Sequence, residues 1–143
     1  MRAQHIVPAM QPGFFWEFGD GYLQNYGRHR ADTVSPVKRL ITAGVPVTHD
    51  APLVGIEQAL TRKIMAREVC GFDERVALTT ALRTHTIHNA FASCEEGLKG
   101  SLEPGKAADM VVLAENIRRV SVERLREVGV AMTVVGGAVV YEA

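Results

Sequence analysis

The sequence predicts an α/β fold: a parallel βαβ unit with further helices behind it, joined to a β-rich tail. Three observations carry that prediction. Two short apolar strands, one within Ile6–Pro12 and one at Val45–Val47, are separated by a stretch with helical spacing. Strand, helix, strand is the order that lays two strands side by side in parallel. A Gly- and Pro-rich stretch at residues 97–106 then changes the character of the chain and marks a boundary, dividing it into residues 1–96 and 97–143. Beyond that boundary two β-branched runs flank Gly136-Gly137, the residue pair that a two-residue hairpin turn requires. The 143 residues fit one ordinary domain, which buries roughly 70% of its unfolded surface.

The elements follow in order. Ile6 to Pro12 reads as the first strand, beginning almost at the first residue. Residues 13 to 36 read as a long loop of aromatic and polar residues, and loops of that length often serve as functional lids. Ser35 and Pro36 suit the start of a helix whose apolar positions are Val37, Leu40 and Ile41, with Gly44 as its stop. Val45 and Val47 then extend toward Asp50, and Pro52 closes the segment. Ile56, Ala59, Leu60, Ile64 and Val69 repeat at helical intervals between Gly55 and Gly71. Thr79 to Ala92 is helical again. Thr79 and Thr86 both suit caps, which allows two short helices meeting at an angle. In the tail, Met110–Leu113 reads as a strand, Val122–Val128 as a short helix and Thr133–Tyr141 as a hairpin, with no internal repeat.

Composition removes several classes of function. The chain is 47% hydrophobic and 22% charged, and its 16 basic and 16 acidic residues cancel. Nucleic acid and acidic membrane surfaces need clustered positive charge, which is absent. Cys70 and Cys94 are isolated thiols without metal or disulfide spacing, as expected of a reduced compartment. Met1–His5 lacks the apolar stretch of a signal peptide or anchor, so a cytoplasmic location is expected.

Chemistry concentrates at Asp50. A carboxylate at the C-terminal end of a buried parallel strand stands where α/β barrels keep catalytic groups. His49 beside it points to the opposite face by strand alternation, and either packs outward or takes a place in the site. The five histidines, His5, His29, His49, His85 and His88, form no His-x-His or His-Glu-x-x-His pattern. His85 and His88, three apart, read either as a partly exposed helical pair or as two ligands on one face. There is no Gly-x-Ser-x-Gly elbow and no phosphate-binding glycine loop leading from a strand into a helix. Phe14, Phe15, Trp16, Phe18 and Tyr22 either wall a substrate pocket or pack beneath the loop that carries them.

The order of motifs resembles the C-terminal part of the amidohydrolase superfamily, in the branch of N-substituted formamide deformylases. Val7–Pro12 with Phe18-Gly19-Asp20 looks like the seventh barrel strand and its loop, and Leu40–Pro52 like the helix and eighth strand. Ala81–Ala92 resembles the helix pair after the barrel, and Gly100–Leu113 a signature of re-entry into a small β-sandwich. The closing Val134–Tyr141 fits as well. The resemblance implies the last two βα units of an incomplete TIM-like (β/α)8 barrel plus part of a β-sandwich.

It also implies a metal-dependent hydrolase of non-peptide C–N bonds, amide or formamide, with a divalent metal, zinc foremost. In the family, histidines and a bridging lysine hold the metal, and the eighth-strand aspartate binds it and shuttles a proton. That aspartate corresponds to Asp50, which is thus the catalytic and metal-binding candidate. Gln11, Phe14, Phe15, Trp16 and His49 are the substrate-binding candidates. The family's other ligands precede the portion matched here, so a weak or absent metal site is expected in the isolated chain. His49 also departs from the small residue usual before the aspartate. Two hypotheses result: the C-terminal part of an amidohydrolase acting on a small-molecule amide, or a non-catalytic binding or assembly chain. Two parallel strands leave open edges, so association with a complementary barrel half, or self-association, is expected.

Overall fold

A computed structural model describes residues 6–143; the expectations for Met1–His5 lie outside the described residues. Strand β1 (Ala9–Met10) pairs in parallel with β2 (Thr48–His49), Ala9 opposite Thr48 and Met10 opposite His49. The second strand is shorter than the sequence predicts. Val45 and Val47 are buried, but Pro46 has no amide to give to a ladder, and pairing begins with the Thr48 amide on the Pro8 carbonyl at 3.1 Å.

Between the strands, residues 12–31 are the main correction to the sequence reading: they form a helix, α1 (Pro12–Ala31), not a loop. Pro12 starts it, its missing amide being no loss in a first turn. Phe15, Gly19 and Ala31 turn inward. The glycines at 13, 19, 21 and 27 dilute the helical repeat, and tertiary packing overrides their poor propensity. Gly27, at φ 72° and ψ 162°, kinks the helix. Helix α2 (Val37–Thr42) is where the sequence places it. Gly44, at φ 71°, ends it in a Schellman turn, with the Gly44 amide on the Ile41 carbonyl and the Val45 amide on that of Leu40.

Helix α3 (Pro52–Thr61) stops well short of Val69. Arg62 turns the chain at φ 54°, and its guanidinium explains the stop. Nε donates to the Cys70 carbonyl at 3.0 Å, and the two terminal nitrogens donate to Ser35 at 3.1 Å and Val34 at 2.7 Å. The same group lies 3.9 Å over the Phe15 ring. Burial lowers its pKa only to about 10, so it stays charged. Lys63 then bridges Val69, and Ile64 drops into a core with Phe15, Ala31 and Cys70. A Cβ on Gly19 would overlap the Ile64 side chain, so α1 can lie this close to the 62–70 turn only with glycine there.

Helices α4 (Leu78–His85) and α5 (Ile87–Ala92) break at Thr86, as the sequence allows, although neither threonine supplies a side-chain cap. The signature stretch works as a joint. Gly100 nests against α5, where a Cβ would lie 2.7 Å from that of Ala90. The Lys106 amine ties Ser101 at 2.7 Å and the Glu96 carbonyl at 2.6 Å.

The tail is one antiparallel sheet of β3 (Met110–Leu113), β4 (Val130–Val135) and β5 (Ala138–Glu142), with β4 central. Gly136 and Gly137 turn the hairpin at φ 57° and 82°, and Asp109 accepts the Gly136 amide at 2.7 Å. The predicted helix after β3 is a 3₁₀ segment, Val122–Glu127. Its Leu125 enters a second core with Ile56, Ala59 and Ala81, so the tail docks on the helices across the 96/97 boundary. The fold is mixed α/β. Among the described residues the strands form two separate sheets, one of two parallel strands and one of three antiparallel strands.

Candidate functional site

Because β1 and β2 are parallel, their C-terminal ends coincide. Gln11 and Asp50 each lie one residue beyond the Met10–His49 pair, and both are exposed. The chain leaves Asp50 through a strained corner: Ala51 has φ 43° and ψ 72°, a left-handed conformation costly for a residue with a Cβ. Helix α3 begins at once with Pro52, and the Gly55 amide closes on the Ala51 carbonyl at 2.6 Å. A Cβ on Gly55 would stand 2.7 Å from the Asp50 carbonyl and 2.9 Å from Cε1 of His85. Glycine is therefore what lets the helix back so closely onto Asp50.

His49 turns away from that mouth, into the layer between β2 and helices α4 and α5. It is 5% exposed, and its Nδ1 is 3.0 Å from Oγ1 of Thr84. The Thr84 hydroxyl donates its proton to the Ala81 carbonyl at 2.6 Å. Hence His49 Nδ1–H must donate to Thr84, leaving Nε2 as a bare acceptor without a partner. The His85 ring packs edge-on against it, centroids 5.2 Å apart, and both of its nitrogens also lack partners. Burial, with His85 and His88 close by, pushes the His49 pKa down to about 3. Burial lowers that of His85 to about 4 against the opposing pull of Asp50. His88, on the next helix, donates Nδ1–H to the Val47 carbonyl at 3.1 Å. The histidines expected to share one helix face are thus separated by the break at Thr86.

The aromatic run divides three ways. Phe15 is 2% exposed, in the core beneath Arg62. Trp16 is half-buried under the guanidinium of Arg126, 4.5 Å from its ring centroid. Phe14 and Phe18 remain exposed and meet edge to face at 5.6 Å, on the helix that begins directly after Gln11. These two, with Gln11, are the candidates an approaching molecule can touch.

Whether these side chains suit a divalent metal is decided by the donor set. Among the described residues no group of three or more His, Cys, Asp or Glu side chains could hold one. Asp50 offers a single carboxylate, and His85, the imidazole that feels its charge, does not complete a ligand group with it. The residues present do not fit a complete metal centre. Two hollows lie away from Asp50. One, of about 360 Å³, is bounded by Ile41, Pro46, His88 and Phe91. The other, of about 540 Å³, is bounded by Arg28, Asp32, Arg39 and Glu74. No helix among the described residues is long and apolar enough to cross a membrane.

Sequence reasoning missed three groups: Thr84, which fixes the His49 tautomer, and the ion pair of Glu57 with Arg126. Glu57 and Arg126 are 69 residues apart, and nothing local marks either.

A family model described as amidohydrolase family matches residues 1–141, and the match falls on the C-terminal part of the family. An N-substituted formamide deformylase from Arthrobacter pascens is 31% identical over 140 residues, covering 92% of this chain and 26% of the relative. The putative amidohydrolase YtcJ of Bacillus subtilis is 27% identical over 149 residues, covering 96% of this chain and 28% of that protein. The chain therefore spans about a quarter of the length of these relatives. In structure it resembles an amidohydrolase from Thermotoga maritima, with a TM-score of 0.54 at 22% identity, over 75% of this chain and 26% of the other.

Proposed function

This chain belongs to the amidohydrolase family, and from that premise we propose that it forms the Asp50-bearing part of a metal-dependent hydrolase of non-peptide carbon–nitrogen bonds. The bond is of the amide or formamide type, and the substrate is a small molecule. The observation that carries this reading is the position of Asp50. It is an exposed carboxylate at the shared C-terminal end of two parallel strands, held by a strained corner and backed by Gly55. In that role Asp50 accepts the proton of the attacking water and returns it to the departing amine. Gln11, Phe14 and Phe18 border the substrate. Phe15, Trp16 and His49 act from behind by holding α1 and β2.

The metal dependence belongs to the complete active unit, since ligands beyond those described are required. They come from a complementary barrel portion, in the same chain or another. The test is formate release from an N-substituted formamide by this chain, assayed alone and together with the remaining length of a relative. Activity that appears in the combination and falls by about 100-fold or more in Asp50→Asn supports the assignment. Activity indifferent to Asp50→Asn overturns it. Stoichiometric zinc in the purified 143-residue chain would overturn the claim that the site needs outside ligands.

A second reading, a binding or assembly chain without activity, is favoured by one observation. The sheet in the tail exposes apolar residues such as Val111, Val139 and Val140. Formation of a stable complex that stays inactive toward amides would select it.

A further inference from the structure

We propose that Arg126 is a positioning residue for the Asp50 end of the molecule: its guanidinium locks the opening turns of α1 to α3 and ties both to the C-terminal sheet. Calling it a positioning residue rests on the functional reading above only in taking Asp50 as the working group. The clamp itself stands on geometry.

Helix α1 starts one residue past the end of β1, after Gln11, and α3 starts two residues after Asp50. Their first turns meet at Gly13 and Val54, where a Cβ on the glycine would sit 3.9 Å from Cγ1 of the valine. Three residues along α1 comes Trp16. Facing it from α3 is Glu57, a carboxylate that is only 5% exposed. Arg126 enters between them from the 3₁₀ segment of the tail. Its Nε donates to Oε2 of Glu57 at 2.7 Å and a terminal nitrogen donates to Oε1 at 2.6 Å, a two-pronged pair. The face of the same guanidinium lies over the Trp16 ring at 4.5 Å. Gln58, with its amide turned to suit its neighbours, accepts from Arg126 at 3.3 Å and donates to the Lys63 carbonyl at 2.7 Å. One side chain from the tail thus fixes the relative position of the two helices that grow out of the strand ends.

A buried carboxylate needs its cation, and Lys cannot replace this one, because a single ammonium cannot grip two oxygens and cover a ring together. The alternative is that Arg126 only bolts the tail down, a task it would share with Leu125 and with the Lys63–Glu123 pair at 2.8 Å.

The two roles separate experimentally in the full chain, because Trp16 is its only tryptophan. In Arg126→Met and in Glu57→Gln, a clamp predicts red-shifted Trp16 emission and greater acrylamide quenching. It also predicts amide exchange about tenfold faster in residues 12–19 and 52–58, measured with far-UV circular dichroism unchanged. Arg126→Lys should restore little of either signal. If Trp16 emission and exchange in those two segments stay at wild-type values while exchange quickens only in residues 110–142, Arg126 is a tail anchor and the proposal fails. Should Arg126→Met unfold the chain, Glu57→Gln, which preserves volume, decides by the same readouts. Neither readout depends on hydrolysis, so an intact clamp in a combination with the remaining length of a relative that stays inactive counts against the functional reading alone.

Discussion

The helical body and the three-stranded sheet satisfy different halves of what a fold requires. In the body, Val47, Ile64, Cys70, Ala81 and Thr84 are each 0% exposed, and even charged groups are drawn in and matched. Glu74 is met by Arg39, Glu57 by Arg126, and Arg62 by three carbonyls. In the sheet the backbone is well paired from Met110 to Glu142, yet Val111, Val139, Val140 and Tyr141 stay half or more exposed. Turn chemistry and ladder hydrogen bonds are enough to draw a sheet, and they do not bury it. The stability of this chain should therefore reside in the body and in the few side chains through which the tail joins it.

The sharpest way to break that contrast is to remove the joint. Leu125 is 1% exposed and lies among Ile56, Ala59 and Ala81. Leu125→Ala should cost about 3 kcal/mol in urea unfolding, from lost burial plus the cavity left behind. Amide exchange should quicken in the sheet more than in α1. A loss under 1 kcal/mol would mean that the tail contributes its own stability and that the two regions are not unequal. Within the body, Gly19→Ala should cost about 2 kcal/mol, because the added carbon overlaps Ile64 and core overpacking forces neighbours off their rotamers. A neutral result would show that α1 can move away from the 62–70 turn.

The body should also be the acid-sensitive half. His49 and His85 are held neutral, with pKa values pushed from 6.5 to about 3 and about 4. The unfolded chain takes up those protons as pH falls through 6.5, whereas the folded chain resists. Stability is therefore whole above pH 6.5 and is lost as pH falls from there toward the folded values. For His49 alone the loss by pH 5.5 is about 1.5 kcal/mol. His85, whose folded value also lies well below 5.5, loses a similar amount over the same interval. Urea midpoints at pH 7.5 and 5.5 should differ accordingly, and His49→Gln should flatten the difference. An unchanged midpoint would mean that the rings find partners for their bare nitrogens.

What the sequence made legible follows from range. The stop at Gly44, the hairpin at Gly136-Gly137, the break near Thr86 and the placement of Asp50 past a strand all depend on a few neighbouring residues. Helix α1 was not legible, because its glycines look like a loop until Ile64 and Val54 are set against them. The end of α3 depends on Arg62 reaching Val34 and Ser35, far back in the chain. The same holds for the site. That Asp50 stands at a mouth could be read, but which aromatic faces outward could not. Phe15 is taken up by a guanidinium from residue 62 and Trp16 by one from residue 126.

The smallest expected effect tests the sheet itself. Val111 and Val140 are 55% and 61% exposed, so replacing either with Thr removes little burial and keeps a β-branched shape suited to a strand. Each substitution should change unfolding free energy by less than about 0.5 kcal/mol, as surface changes do. The value of so small an effect is that it has two distinct ways to be wrong. If the faces are covered by a second copy, the cost rises above 1 kcal/mol and becomes dependent on protein concentration, since dissociation then precedes unfolding. If they are covered by a complementary chain, stability of the lone protein is unchanged while the complex weakens, because the hydroxyl enters an apolar contact without a partner. Sedimentation of the variants, alone and with the remaining length of a relative, distinguishes these outcomes. Only an unchanged stability in both settings would leave the sheet as a face that water alone covers.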